Sequence, residues 1–255
     1  MDRLKELMGF NKIFAEYVWI GGNNELRSKV RVLDKKVSSV NELPVWNFDG
    51  SSTEQAEGKD SEVLLVPRCI FNDPIRGSPH ILVLCETTKP DGSFLKNSHR
   101  HWANEMFENA KDEEPWFGLE QEYFIMNPNN GKPLGFPSTG RAEPQGQYYC
   151  SVGTLNTFGR KVADLHYKLC LAAGIKVSGM NAEVAPGQWE IQIGPCEGIE
   201  AGDQLIILRY ILQRVGEIHE VQISLHPKPI QGDWNGSGMH TNFSNEAMRS
   251  SGTEE

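Results

Sequence analysis

The stretch "WFGLEQEYFIM", residues 116–126, constrains the fold more than any other part of the chain. Its Trp, Phe, Leu, Tyr, Ile and Met residues are those that buried strands favour, and Glu120 and Glu122 interrupt them. Side chains alternate across a strand, so residues two apart share a face. Both carboxylates therefore project together from a segment that otherwise belongs in a core. Burying an unpartnered carboxylate is costly, and two like charges side by side drive a proton onto one of them. Two arrangements satisfy the pair: a half-exposed strand whose polar face meets water, or a bound cation.

With 255 residues the chain has room for one large domain or two modest ones. Hydrophobic residues make up 38% and aromatics 9%, enough for a core, while 25 glycines and 14 prolines mark a loop-rich chain. The formal charge of -9 disfavours nucleic acid, whose phosphates need clustered Lys and Arg. The five cysteines contain no C-x-x-C pair, which argues against a disulfide framework or zinc ribbon. A reducing compartment, the cytoplasm, is the expectation, with Cys69 and Cys85 as small core residues. No apolar run approaches a membrane span; the best, "LIILRYIL", is broken by Arg209. The charged N-terminus "MDRLKELMGF" reads as helix and lacks a signal-peptide pattern.

Short strands dominate the first part. "KVRVL" alternates Lys29 and Arg31 with Val30 and Val32, a half-buried pattern, and "EVLLVP" and "HILVLCE" are apolar runs between turns. A small, mostly β domain to about residue 95 is expected, leaving through the turn in "KPDGSFLKNS". Ser98 is placed to cap a helix to Lys111, ahead of Pro115. A second helix is expected from Thr154, with Leu155, Phe158, Val162, Leu165 and Leu169 as its core stripe, His166 beside it and Gly174 as its stop. A hairpin, "KVSGMNAEVAPGQWEIQIGP", a third helix capped by Asp203 and a strand in "VQISLHPKP" follow, so the second domain is α/β or α+β.

The hairpin repeats the oddity of the opening strand. Glu183 and Glu190 flank a Pro-Gly turn, and Glu190 and Gln192 oppose Trp189, Ile191 and Ile193. "WNGSGMHTNFS" adds His240 behind a glycine-rich turn. Four carboxylates and an imidazole, without thiolate, suit Mg²⁺ or Mn²⁺; four unrelated surface glutamates and a loop histidine are the plainer alternative. Asp49, Ser51 and Ser52 lie on the turn in "WNFDGSST", whose flanking Trp46 and Phe48 are unusual for a solvated loop.

Together "WNFDGSSTEQAEGKDSEVLLVP", "PWFGLEQEY", "NAEVAPGQWEIQIGPCEG" and "WNGSGMHTNFS" resemble the eukaryotic type of glutamine synthetase, in that family's order and across nearly the whole chain. The resemblance implies an α+β protein: a β-grasp domain over residues 1–95, then an incomplete α/β catalytic barrel over 96–255. It matches Glu122, Glu183 and Glu190 to one metal site and Glu120 and His240 to another, for Mg²⁺ or Mn²⁺. Asp49, Ser52, Tyr149 and Glu183 match the ammonium pocket, with Asp49 as base. Asn235, Gly236 and His240 match the glutamate site, and Trp116 and Ser244 the nucleotide side. Its substrates would be L-glutamate, ammonium and ATP, reacting through a γ-glutamyl phosphate. The expected assembly is a homo-oligomer, two pentameric rings in the family, with the Asp49 loop completing a neighbour's site.

The family pattern continues beyond "NFSNEAMRSSGTEE" with a flap glutamate, several arginines and one more glutamate ligand. Two readings follow: a catalytic ligase of which these residues are part, or a short inactive subunit serving assembly or regulation. A related phosphoryl-transfer enzyme is a third, against which "NFDGSS" argues.

Overall fold

A computed structural model describes residues 12–139 and 142–252; the expected N-terminal helix in "MDRLKELMGF" lies outside them. The chain divides into two compact units, one comprising Met1–Met106 with Ala172–Gly174, the other Phe107–Leu171 with Ile175–Glu255.

The first unit is a five-stranded mixed sheet of β1 (Ile13–Ile20), β2 (Leu26–Leu33), β3 (Trp46–Asp49), β4 (Glu62–Asn72) and β5 (Ile81–Thr88), ordered β2-β1-β5-β4-β3. Only β1 and β5 run parallel; the other neighbours are antiparallel. Ala15, Tyr17, Trp19, Leu65, Val83 and Cys85 form the core of one face, with Trp46 and Phe48 packed against it. The alternation in β2 runs opposite to a simple hydrophobic reading: Val30 and Val32 are exposed. Lys29 instead lies over the Trp46 ring, its Nζ 3.8 Å from the centroid, and donates to the Asn47 carbonyl. The ammonium thus lies over the aromatic face and also reaches a carbonyl. Trp46 and Phe48 thus belong to this unit's own packing.

Helix α1 (Arg100–Asn109) is shorter than the span expected from Ser98 to Lys111. In the second unit β6 (Trp116–Asn127) is the central strand. It pairs with β9 (Gln188–Glu197) along one edge and with β11 (Met239–Ser244) and β10 (Gln222–Ser224) along the other. β8 (Val177–Ala182) extends the sheet beyond β9, and β7 (Lys132–Pro133) is a two-residue pairing on β6. The strand expected in "VQISLHPKP" shrinks to β10.

The second helix, α2 (Arg160–Ala173), begins six residues later than Thr154. Leu155 is 87% exposed, and Phe158 precedes the helix. Gly153 and Gly159 both hold positive φ, which breaks helical continuity between Thr154 and Arg160. Gly174, at φ 94, ends α2 where expected. Helix α3 (Ile199–Ile218) starts after Gly198, so Asp203 is an interior, buried residue and not its cap. A short helix, α4 (Glu246–Ser251), ends the described residues and is capped by Asn245, which accepts from the Met248 N–H.

Candidate metal centre and active site

Strand alternation turns Leu119, Gln121 and Tyr123 into the core and leaves Glu120 and Glu122 on the opposite face. β9 does the same with Trp189, Ile191 and Ile193 against Glu190 and Gln192. The antiparallel register sets Glu122 directly opposite Glu190. Glu183 lies one residue past the end of β8, where its N–H donates to the Gln188 carbonyl across the hairpin. The hairpin closes through Gly187 at φ 72, where a β-carbon would sit 2.7 Å from the Leu134 carbonyl oxygen. One carboxylate oxygen from each of Glu122, Glu183 and Glu190 then lies within 4.8 Å of the others.

Hydrogen bonds orient all three. The Gly238 N–H donates to Glu122 Oε2 at 2.6 Å. Asn181 Nδ2 donates to Glu183 Oε1 at 3.1 Å, and the Val184 N–H to its Oε2 at 2.9 Å. Gln192 Nε2 donates to Glu190 and, at 2.7 Å, to Asn181 Oδ1. Electrostatically the cluster is unfavourable by itself. Burial, followed by the charges of Glu122 and Glu190, pushes Glu183 above the usual carboxylate range. Burial, followed by Glu120 and Glu122, pushes Glu190 up despite the Gln192 hydrogen bond. A hard divalent cation reverses both effects, and an all-oxygen donor set is what Mg²⁺ or Mn²⁺ takes. The residues fit such an ion.

Glu120 and His240 are cross-strand partners, with His240 Nδ1 3.5 Å from Glu120 Oε2. Glu120 Oε1 also accepts from Asn242 Nδ2 at 2.7 Å. His240 is exposed, and neither residue belongs to the three-carboxylate group. Tyr149 is half exposed, and the Cys150 thiol and the Glu183 charge beside it raise its phenol. Asn235 Nδ2 donates to Gln188 Oε1 at 3.1 Å, and Gln188 Nε2 donates to the Gly236 carbonyl at 2.8 Å. The Asn235 N–H donates to Gln145 Oε1. Side-chain amides thus hold the turn from several sides.

Trp116 and Ser244 face each other across β6 and β11. They line a cleft of about 550 Å³ together with Glu120, Gln192, Asn242 and Phe243. Arg249 stacks on Trp116, its guanidinium 3.7 Å from the ring centroid, and bonds to Ser244 Oγ at 3.1 Å. Sequence reasoning misses this stacking because α4 is six residues long and carries no pattern.

In the first unit Asp49 ends β3 exposed. Its Oδ1 accepts from the Ser51 N–H and hydroxyl at 3.0 and 2.7 Å, and its Oδ2 from Ser52 Oγ at 3.5 Å. These bonds, those from Ser51 foremost, hold its carboxyl below the ordinary aspartate range. His166, fully buried, donates from Nε2 to the Leu208 carbonyl, and burial lowers its pKa to about 4. It is a neutral core residue.

The glutamine synthetase β-grasp domain model matches residues 11–90, and the glutamine synthetase catalytic domain model matches residues 96–250. A glutamine synthetase of Tuber borchii is 57% identical over 240 residues, which cover 94% of this chain and 67% of that protein. One of Agaricus bisporus is 53% identical over 242 residues, 95% of this chain and 68% of that protein. A chloroplastic glutamine synthetase of Zea mays is 51% identical over 261 aligned positions, 99% of this chain and 62% of that protein. In fold, the chain matches a solved GmaS/ADP complex with TM-score 0.70 over 96% of this chain and 56% of that one, at 17% identity. The fold is that of a β-grasp domain followed by a catalytic domain of mixed sheet and helices. The chain belongs to the glutamine synthetase family. It spans roughly two thirds of the fungal relatives and 62% of the maize one. No helix among the described residues is long and apolar enough to cross a membrane.

Proposed function

We propose that this chain carries the metal and nucleotide sites of a glutamate–ammonia ligase, which joins ammonia to the γ-carboxylate of L-glutamate with cleavage of ATP. The observation that carries the reading is the convergence of Glu122, Glu183 and Glu190. It favours a ligase over an inactive subunit, because a purely structural role would have no use for repelling carboxylates. Glu122, Glu183 and Glu190 would hold one Mg²⁺ or Mn²⁺, and Glu120 with His240 the other. Bound there, the cations supply charge neutralisation for the transferring phosphoryl group.

A carboxylate is a poor electrophile, so the glutamate γ-oxygen first attacks the γ-phosphorus of ATP and ADP leaves. Ammonia then attacks the acyl carbon and phosphate leaves. Trp116, Ser244 and the cleft between them are the nucleotide side. Asn235, Gly236 and His240 hold glutamate. Asp49, Ser52, Tyr149 and Glu183 form the ammonium pocket. With its charge held by Ser51, Asp49 stays anionic and attracts ammonium before taking its proton. We place Asp49 in the site of a neighbouring copy within a cytoplasmic homo-oligomer.

Equilibrium dialysis should find ATP binding that requires Mg²⁺ or Mn²⁺. In the active protein, glutamine should form in step with ADP and require both glutamate and ammonium. Metal-dependent ATP cleavage indifferent to glutamate would point instead to another phosphoryl transfer.

A further inference from the structure

Arg209 is out of place in α3. It lies between Leu208 and Tyr210, both buried, on a helix that is otherwise apolar around it. Its guanidinium donates through Nε and Nη2 to a single acceptor, Gln121 Oε1, the Nε bond being 2.8 Å. Nη2 also lies 4.0 Å from Met239 Sδ. Burial pulls this group below the usual guanidinium value. No carboxylate among the described residues pairs with this partly buried guanidinium, which invites a reason beyond stability.

Gln121 supplies one. It is 3% exposed and sits on the face of β6 opposite Glu120 and Glu122. An amide can present oxygen or nitrogen either way, but guanidinium is only a donor. Arg209 therefore fixes the amide with its oxygen toward α3 and its NH₂ toward the turn. That NH₂ donates to the Gly238 carbonyl at 3.1 Å and to the Glu122 carbonyl at 2.7 Å. The Glu122 N–H donates to the same Gly238 carbonyl at 3.0 Å. On its other side, Gly238 donates its own N–H to Glu122 Oε2 at 2.6 Å. Hydrogen bonds on both sides of the Gly238 Cα thus link α3 to a carboxylate of the candidate metal centre.

We propose that Arg209 and Gln121 are positioning residues for that centre: Arg209 sets the Gln121 amide, Gln121 holds the Gly238 carbonyl, and the residue so held aims its N–H, on the other side of its Cα, at the Glu122 carboxylate. The proposal rests on reading these three carboxylates as a metal site. Groups hydrogen-bonded directly to metal ligands change affinity by about 10- to 100-fold; Gln121 and Arg209 act through Gly238, so a loss at or below the lower end of that range is expected.

The test is calorimetric titration of the purified protein with Mn²⁺, alongside thermal melting. Gln121→Glu keeps an acceptor for Arg209 but turns an oxygen toward the Gly238 carbonyl. Gln121→Leu/Arg209→Met removes both partners, which leaves no orphaned polar group between them. Both variants should bind Mn²⁺ several-fold more weakly, up to about tenfold, and the double variant should melt close to the wild type. Wild-type Mn²⁺ affinity in the folded double variant would overturn the proposal. If the double variant does not fold, Gln121→Glu decides by the same criterion. Glu190→Gln separates the two ideas: if it leaves Mn²⁺ binding intact, the metal-site reading itself fails; if it abolishes binding while Gln121→Glu does not, only the positioning role fails.

Discussion

Asp49 and Glu190 are both carboxylates carried on strands, and their surroundings treat them in opposite ways. Asp49 lies exposed, with serine donors folded around it, and its proton is held less tightly than usual. Glu190 is half buried among Glu120 and Glu122, and its proton is held more tightly than usual. The first needs no ion to be stable as an anion, because neighbouring hydroxyl and N–H groups have already solvated it. The second is an unfinished arrangement that a cation completes. On the proposed function, the first would meet ammonium reversibly and the second would retain a divalent cation.

The largest test of this contrast is chemical. In the active enzyme, Asp49→Ala should lower glutamine formation by about a hundredfold or more, the usual loss when a general base is removed. ATP-dependent phosphorylation of glutamate should be nearly preserved. Equal loss of both would place Asp49 among the phosphoryl-transfer residues and erase the distinction.

Next comes Glu190→Gln, which replaces a proposed ligand and should weaken Mn²⁺ binding by more than the roughly hundredfold that loss of an outer partner can cost. The same change should raise the Tm of the metal-free protein slightly, because it removes a repulsion that solvent already screens in part. Melting with and without Mn²⁺ reads both signs. A lower Tm in the metal-free variant would mean that Glu190 is already satisfied by its neighbours.

The pH dependence should separate the sites further. Glu183 and Glu190 are raised, so the metal-free fold holds their protons more tightly than the unfolded chain does. Their contribution to stability is complete below the ordinary glutamate pKa and lost as pH rises through the raised values. Saturating Mn²⁺ should cancel that loss, and Mn²⁺ affinity should fall on acidification sooner than for ordinary glutamates, since binding displaces protons. A flat apparent affinity across the weakly acidic range would contradict the raised values. The smallest effect is local. Ser51→Ala should move the Asp49 titration, followed by carboxyl NMR, upward toward the ordinary aspartate range, with no change in Mn²⁺ affinity.

Much of the second unit's strand pattern is legible in the sequence, for a physical reason. Period-two alternation belongs to the backbone itself, so the facing of Glu120 and Glu122, and of Glu190 and Gln192, follows from spacing alone. The start of α2 is not legible. Leu155 and Phe158 keep helical spacing with Val162, and the sequence does not reveal that Gly153 and Gly159 take positive φ. Nor is the inversion of β2, since the pull of Trp46 on Lys29 comes from another strand. The amide network is the least visible. Gln121 meets Arg209 across 88 positions and Gly238 across 117, and a lone glutamine in a strand carries no periodic signal. Sequence alone therefore points to the charged groups but not to the neutral ones that aim them.

The register of β6 against β9 has a consequence for how such a chain can change over generations. Glu120 and Glu122 hang from one strand two positions apart, so their attachment points stay about 7 Å apart whatever happens elsewhere. Inserting or deleting one residue beside them would turn a carboxylate into the core and a hydrophobic side chain to the face that carries Glu190. A one-residue change of length in the paired stretch where Glu122 faces Glu190 would therefore need a compensating bulge, such as the one between Phe117 and Leu119, to keep the carboxylates on one face. Point substitutions can drift through this region one at a time, but its reading frame in space is locked.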